Sequence, residues 1–252
     1  MFKKSVAIFF LFTNLAWTDF ALASEVWNSE EGLKRLERSQ FKNDFYQLVN
    51  FFQPQISPVF CAAASSVMVL NALNYGKIES QKHSEIINPE NNQVIPYSLY
   101  LQSHFFNENT DKIKKISVIQ FKEKNDKGNY DAGIQIGDLY KMLTKVYSVK
   151  AKLFYVKSND EKSRNKFREL VKEITQDKNR FLIVNFDRKA LNQKGSGHFM
   201  PIVAYDAESD SVLALDPAVH KMPWFWVDVA QIYGAMNTKD GDAYRGYLVI
   251  PK

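Results

Sequence analysis

An α+β fold is predicted for this chain of 252 residues, because helical patterns come first and strand patterns follow. Apolar residues in the first part recur at helical spacing, as in Phe41, Phe45, Leu48 and Phe52. The later part contains short apolar runs separated by turn residues, which is the pattern of antiparallel strands. A helical part followed by an antiparallel sheet is therefore the expected architecture.

The predicted elements follow in order along the chain. A helix over residues 41–52 precedes a loop at Gln55, and a second helix runs from the small residues after Cys61 to a stop at Gly76. Residues 77–110 are polar and interrupted, which indicates helices and loops. The remaining elements are a helix at 137–147, a strand at 151–156, a helix at 163–175, and strands at 180–186, 198–205, 212–215 and 244–250.

Composition excludes one class of partner. The net charge of +5 comes from 33 basic and 28 acidic residues that alternate along the chain, as in residues 159–164. No basic patch with interleaved aromatic residues is present, so nucleic-acid binding is not expected. Hydrophobic residues make up 45% of the chain, enough for the core of an enzyme domain.

Cys61 is the most informative residue and the only cysteine of the sequence. It follows a proline-bearing loop and opens the predicted second helix. Unpaired N–H groups and the helix dipole at such a position stabilise a thiolate, which is the reactive form of cysteine. A cysteine before a helix is more often a small buried residue, so the chemical interpretation requires a base.

His198 is the strongest candidate for that base among His83, His104, His198 and His220. It opens an apolar run, and the next apolar run ends at Asp216. Adjacent antiparallel strands would place the imidazole and this carboxylate side by side. His198 also lies 137 residues after Cys61 (198 − 61), within the spacing of about 130–150 residues found in papain-like enzymes.

Gln55 precedes Cys61 by six residues and carries an amide able to donate to an oxyanion, alongside the N–H of Cys61. Each residue has an ordinary structural explanation, since a histidine at a strand start is usually structural and Asp216-Pro217 is a usual turn former. The order and spacing of Cys61, His198 and Asp216 together nevertheless predict a cysteine-nucleophile active site.

Several segments together resemble the phytochelatin synthase family of papain-like cysteine transpeptidases that act on glutathione. The resemblance implies a papain-like α+β fold with the active site in a cleft between the helical part and the sheet. It also implies catalytic roles for Cys61, His198 and Asp216 and an oxyanion role for Gln55. The segments are 31–45, 55–73, 182–189, 197–202, 204–207, 235–238 and 245–247.

Three positions depart from the family pattern. Ala62 replaces the glycine that usually follows the cysteine, and Met200 replaces the serine after His-Phe. Val219 replaces an arginine that is common three residues after the aspartate. This last departure bears on binding of a second substrate, and it leaves the three catalytic positions intact.

Glutathione carries one ammonium and two carboxylates, so a specific pocket should offer an acid and several cations. Asp240 and Arg245 lie in a family-like tail segment, and Arg188 lies in a family-like motif ten positions before His198. Lys221 also matches the family pattern. These residues are expected to contact substrate, although a turn for Asp240 and surface ion pairs for the arginines are the ordinary alternatives.

The expected reaction is attack of the Cys61 thiolate on the carbonyl between cysteine and glycine of glutathione. Water then converts the γ-glutamylcysteinyl thioester into γ-glutamylcysteine, whereas a second glutathione gives phytochelatin. The resemblance makes heavy-metal thiolates such as cadmium–glutathione a candidate co-substrate, and no tightly bound cofactor or metal site is expected. Hydrolysis is expected to dominate, because the sequence contains no cysteine-rich C-terminal region.

The N-terminus has the composition of an export signal. Two early lysines precede an apolar stretch at residues 6–17, and residues 21–23 fit the small-residue rule for cleavage. Residues 1–23 are therefore interpreted as the signal peptide of a periplasmic or secreted protein, with 24–252 as a catalytic domain. The apolar stretch is short for a membrane span, so no stable insertion is expected after cleavage; an uncleaved anchor is the alternative.

Two other classes of function stay open. A papain-like peptidase of the bacteriocin-leader type would share the Gln–Cys loop and the later His and Asp-Pro, but the segments 188–189 and 221–226 argue against it. A non-catalytic binding module on the same fold would not need the complete set of Gln, Cys, His and Asp. A homodimer is compatible with the sequence.

Overall fold

Helices and antiparallel strands form an α+β architecture in the computed structural model, as predicted. The structure describes residues 24–74, 84–87, 90–91, 94–97, 99–120, 122–124, 128–129 and 133–252. The predicted signal peptide lies outside these residues and stays a prediction. No helix in the described ranges combines the length and apolarity needed to cross a bilayer.

After residue 133 each predicted helix and strand is present, whereas the strand, helix and short hairpin within residues 225–244 were not predicted. In chain order the described helices and strands are β1 (Glu25–Val26), α1 (Glu30–Arg38), α2 (Asn43–Leu48), a 3-10 turn (Val49–Phe51), α3 (Cys61–Leu73), β2 (Ser84–Ile87), β3 (Val94–Tyr97), α4 (Gln102–Phe105), α5 (Glu108–Asp111), α6 (Ile116–Ile119), α7 (Ile136–Lys141), a π-helical segment (Met142–Val146), β4 (Lys152–Tyr155), α8 (Glu161–Gln176), β5 (Arg180–Asp187), a 3-10 turn (Arg188–Leu191), β6 (Gly197–Asp206), β7 (Ser211–Ala214), β8 (Phe225–Asp228), α9 (Val229–Met236), β9 (Lys239–Asp240), β10 (Ala243–Tyr244) and β11 (Gly246–Pro251).

A seven-stranded sheet organises the molecule, with the strand order β1-β8-β7-β6-β5-β11-β4. All of its pairings are antiparallel, including the predicted hairpin of β6 and β7. The register of that hairpin shifts between Ile202 and Ala204. Beyond β7, the N–H of Leu215 still bonds the carbonyl of Pro201 at 3.0 Å. The chain therefore runs back along β6 toward its beginning, where His198 lies.

The sheet separates two apolar clusters, because successive strand residues point to opposite faces. In β5, Phe181 and Ile183 face the cluster that contains α3, whereas Leu182 and Val184 face the cluster that contains α8 and α9. Residues 62–71 of α3 are all buried. A helix that is enclosed on all sides carries small or apolar residues around most of its circumference, which explains the alanines and the apolar residues that follow Cys61.

One sequence prediction needs correction. Residues 77–110 were expected to form helices and loops, but the described part contains the hairpin of β2 and β3 in addition to α4 and α5. The hairpin strands hold β-branched residues, and Pro96 is tolerated because both strands of a two-stranded ribbon are edges. The predicted helix stop at Gly76 lies outside the described residues, and α3 ends at Leu73.

Candidate active site

Cys61 is the first residue of α3, as the sequence predicted, and its side chain is partly exposed. The imidazole of His198 and the backbone N–H of Phe199 lie beside its thiol. Burial alone raises the pKa of this thiol, but the positive charge of His198 and the polar groups beside the sulfur hold the pKa below its usual value. The arrangement therefore favours a thiolate.

His198 lies near the start of β6 and is buried. Its Nε2 is 2.7 Å from Oδ1 of Asp216, which leaves Nδ1 as the nitrogen for the Cys61 thiol. Burial lowers the pKa of His198, but the negative charges of Asp216 and Cys61 outweigh burial and raise it above its usual value. A thiolate paired with a protonated imidazole is the charge state that follows.

Asp216 is fully buried behind His198, so the predicted contact across the β6–β7 hairpin is confirmed. Its Oδ1 also accepts the N–H of Ala218 at 2.7 Å, and its Oδ2 accepts a hydrogen bond from Arg188. Burial raises the pKa of Asp216, but the positive charges of His198 and Arg188 lower it to about 2. The group is therefore a carboxylate that fixes the imidazole ring.

Two neighbours hold His198 from other directions. Asn185 in β5 donates from Nδ2 to the carbonyl of His198 at 3.1 Å. The ring of Phe186 meets the imidazole edge to face, with the ring centres 5.8 Å apart. Both contacts arise from the pairing of β5 with β6, so the sheet itself orients the predicted base.

Gln55 lies in the loop before α3 and is tied to the segment that follows Asp216, because its N–H bonds the carbonyl of Pro217 at 2.9 Å. Its side-chain Nε2 donates to the carbonyl of Ser57 at 2.8 Å. A primary amide has two N–H donors, so one donor serves the loop and the second is the one that an oxyanion role requires. That role stays a prediction.

A cleft of about 600 Å³ opens above Cys61 and His198. Three of the predicted substrate residues, Lys221, Asp240 and Arg245, line it. Arg245 is buried, and its Nη2 lies 3.8 Å from Oδ1 of Asp240. Opposite charges therefore stand side by side in the cleft, which suits a ligand that carries an ammonium and a carboxylate on one carbon.

Arg188 lies elsewhere than predicted. It is only 1% exposed and forms an ion pair with Asp216, while its Nη1 donates to Oε1 of Gln193 at 2.8 Å. The guanidinium is therefore committed behind the carboxylate and is not among the residues that line the described cleft. This position corrects the expectation of a direct substrate contact.

The sequence missed several residues that line the cleft, among them Lys114, Gln135 and Asn185. Asn185 is buried, and its Oδ1 has no hydrogen-bond partner among the described residues. An asparagine within an otherwise apolar strand was a usable signal, because a buried polar group needs a reason to be there. Lys114 gave no such signal, because it lies in a charged segment that resembles a solvated surface.

The described residues contain no group of three or more histidine, cysteine or acidic side chains that could hold a metal ion.

The chain is similar to known proteins over most of its length. A family model described as phytochelatin synthase matches residues 21–247. Glutathione gamma-glutamylcysteinyltransferase 3 of Lotus japonicus is 31% identical over 210 residues, which is 82% of this chain and 37% of that protein. Glutathione gamma-glutamylcysteinyltransferase 2 of Arabidopsis thaliana is 29% identical over 82% of this chain and 40% of its own length. The chain thus spans about two fifths of the plant relatives that it matches.

Proposed function

The chain belongs to the phytochelatin synthase family, and we propose that it cleaves the Cys–Gly bond of glutathione with Cys61 as the nucleophile. The observation that carries the proposal is that Cys61 and His198 line one cleft side by side, while Asp216 binds His198 from behind at 2.7 Å. The names of the plant relatives describe transfer of a γ-glutamylcysteinyl group from glutathione, which is the same bond cleavage.

The fold that we propose is papain-like. It is supported by the position of the nucleophile at the start of a buried helix and of the base in an antiparallel sheet packed against that helix. The cleft lies where these two parts meet.

Acylation depends on a Cys61 thiolate and a protonated His198. The Cys61 thiolate attacks the carbonyl between cysteine and glycine, and the Cys61 N–H with the free donor of Gln55 stabilises the oxyanion. Protonated His198 then gives its proton to the nitrogen of glycine, the C–N bond breaks and glycine leaves. The γ-glutamylcysteinyl group remains on the sulfur as a thioester, and Asp216 keeps His198 in the required tautomer.

The charges of the cleft match the donor. Asp240 binds the α-ammonium of the γ-glutamyl group and Arg245 its α-carboxylate, while Lys221 offers a cation to a further carboxylate. The support for these roles is their common cleft and the separation of 3.8 Å between the Asp240 and Arg245 side chains.

Hydrolysis is the proposed main fate of the thioester. Val219 is 46% exposed in the loop that follows Asp216, so an apolar side chain occupies a place where a cation would help a second glutathione to bind. Transfer to a second glutathione, or to its complex with a heavy metal such as cadmium, is the proposed further activity. We also propose that residues 1–23 direct export and that the protein assembles as a homodimer.

Mass spectrometry of the purified protein with glutathione, with and without cadmium, tests the proposal. The wild type should release glycine and γ-glutamylcysteine, and the protein should gain the mass of one γ-glutamylcysteinyl group. Cys61→Ala should fold and show neither result. Glycine release by Cys61→Ala, or cleavage of a leader-type peptide in preference to glutathione, would overturn the proposal.

A further inference from the structure

The side chain of Arg188 is the largest charged group among the described side chains that are less than 2% exposed, and the reaction as proposed gives it no role. Its Nη2 pairs with Oδ2 of Asp216, and the two side chains are 1% and 0% exposed. Burying two charges costs free energy that is recovered only through close pairing and further hydrogen bonds. A buried pair is therefore weak evidence for a role in stability, and its place directly behind His198 requires another explanation.

Arg188 is itself held by the loop that leads to His198. Its Nη1 donates to Oε1 of Gln193 at 2.8 Å and lies 3.4 Å from the sulfur of Met222. Its backbone N–H bonds the carbonyl of Ser196 at 3.2 Å, and the N–H of Gln193 bonds its carbonyl at 3.0 Å. Residues 188–196 therefore close around the guanidinium immediately before His198.

The two carboxylate oxygens of Asp216 bind different partners. Oδ1 accepts hydrogen bonds from His198 and from the N–H of Ala218, whereas Oδ2 accepts one from Arg188. The guanidinium prevents rotation of the carboxylate and offsets its negative charge.

We infer that Arg188 is a positioning residue for the Cys61–His198–Asp216 series, which holds Asp216 in register with His198 and offsets the carboxylate charge that reaches Cys61. The inference rests on the proposed function. It differs from a substrate contact in one decisive respect: it acts in the free enzyme, before any glutathione is bound.

The sign of the effect follows from electrostatics. The carboxylate of Asp216 raises the pKa of both Cys61 and His198. Loss of the compensating cation leaves that charge stronger, so the pKa of each group rises further. The other charged groups that face the pair line the cleft and are unchanged by the substitution; they are Lys114, Lys221, Asp240 and Arg245.

Alkylation of Cys61 by iodoacetamide across pH, without glutathione, tests the inference in Arg188→Met and Arg188→Lys. The rate of Cys61 alkylation increases with pH as the thiolate forms. In Arg188→Met the midpoint of this increase should lie about one pH unit higher, and the rate below the midpoint should be about tenfold lower than in the wild type. Arg188→Lys keeps the charge but not the planar fork, so its profile should stay near that of the wild type. In steady state, Arg188→Lys should lower kcat by about tenfold and leave the KM for glutathione within about twofold.

Arg168→Met is the matched control. Arg168 in α8 makes a two-pronged contact of 2.7 Å with Asp210 in the β6–β7 turn, so an Arg–Asp pair is lost outside the cleft. Its alkylation profile and its activity should match the wild type.

An unshifted alkylation profile in Arg188→Met, together with a raised KM and an unchanged kcat, would show a substrate contact and overturn the inference. If circular dichroism shows that Arg188→Met is unfolded, the kcat and KM of Arg188→Lys decide alone, and a raised KM with unchanged kcat again overturns it. Failure of the proposed function is distinguishable, because it appears as turnover by Cys61→Ala and does not depend on Arg188.

Discussion

Gly197 lies directly against the guanidinium of Arg245. A Cβ on Gly197 would lie 2.8 Å from Nη2 of Arg245. Gly197 directly precedes His198, and Arg245 is the cation proposed to bind the α-carboxylate of glutathione. The strand that carries His198 therefore lies against the group proposed to bind substrate.

Gly197→Ala should displace the guanidinium of Arg245 and weaken substrate binding. Loss of one charge-assisted contact costs about 1.5–3 kcal/mol, so the KM for glutathione should rise by roughly tenfold or more while kcat falls less. Steady-state kinetics measures both constants. Gly133→Ala is the control, since its Cβ would meet open space in the same cleft. Equal effects of the two substitutions would contradict the prediction.

Replacement of His198 and replacement of Asp216 should lower turnover to different degrees. His198→Ala should be nearly silent, because His198 is the only histidine among the described residues that line the cleft. Asp216→Asn should lower kcat by about 10³–10⁴, since the imidazole would adopt the wrong tautomer. Glycine release measures both, with the exposed His220→Ala as the control. An essential role of His104 or His220 in place of His198 would refute the assignment.

Val219→Arg should move the reaction from water toward a second glutathione. The side chain at this position is exposed, so arginine is accommodated without a change in the core. One added charge-assisted contact raises occupancy by an acceptor by roughly ten- to a hundredfold. The test is the ratio of phytochelatin to γ-glutamylcysteine across glutathione concentrations, with Val219→Met as an uncharged control. Phytochelatin as the main wild-type product at low glutathione without metal would contradict the prediction.

Asp44→Asn should stabilise the folded protein at neutral and alkaline pH. Asp44 is fully buried in α2, and neither carboxylate oxygen has a hydrogen-bond partner among the described residues. Burial raises its pKa to about 8, whereas the unfolded carboxyl titrates near pH 4. Between these values the folded state binds a proton that the unfolded state does not, so stability falls as pH rises and the full cost is present above pH 8.

Urea unfolding at several pH values measures this effect. The gain in unfolding free energy from Asp44→Asn should be small near pH 4 and grow to at most about 5 kcal/mol above pH 8, because each pKa unit corresponds to about 1.4 kcal/mol. Glu37→Gln, at an exposed position in α1, is the control and should show no such trend. A gain that is the same at pH 5 and pH 9 would exclude the titration of Asp44 as its cause.

Sequence patterns predicted the elements whose structure depends on neighbouring residues in the chain. The apolar run after Cys61 predicted α3, and the two runs that end in Asp216 predicted the β6–β7 hairpin and hence the contact with His198. Patterns failed for α1, whose nine residues include only one buried residue, Gly32. The signals that could have found this helix are the capping residue Ser29 and the helical spacing of Leu33 and Leu36.

The sequence by itself determined the chemical types of the site and their order, because a lone cysteine at a helix start and a histidine and aspartate on adjacent strands follow from periodicity and turn residues. The tertiary structure alone decided which charged groups face the cleft. Arg188 and Arg245 are both buried arginines next to strands, yet one lies behind Asp216 and the other lines the cleft. The direction of a long side chain depends on the packing of loops that are distant in sequence, and no local pattern records that packing.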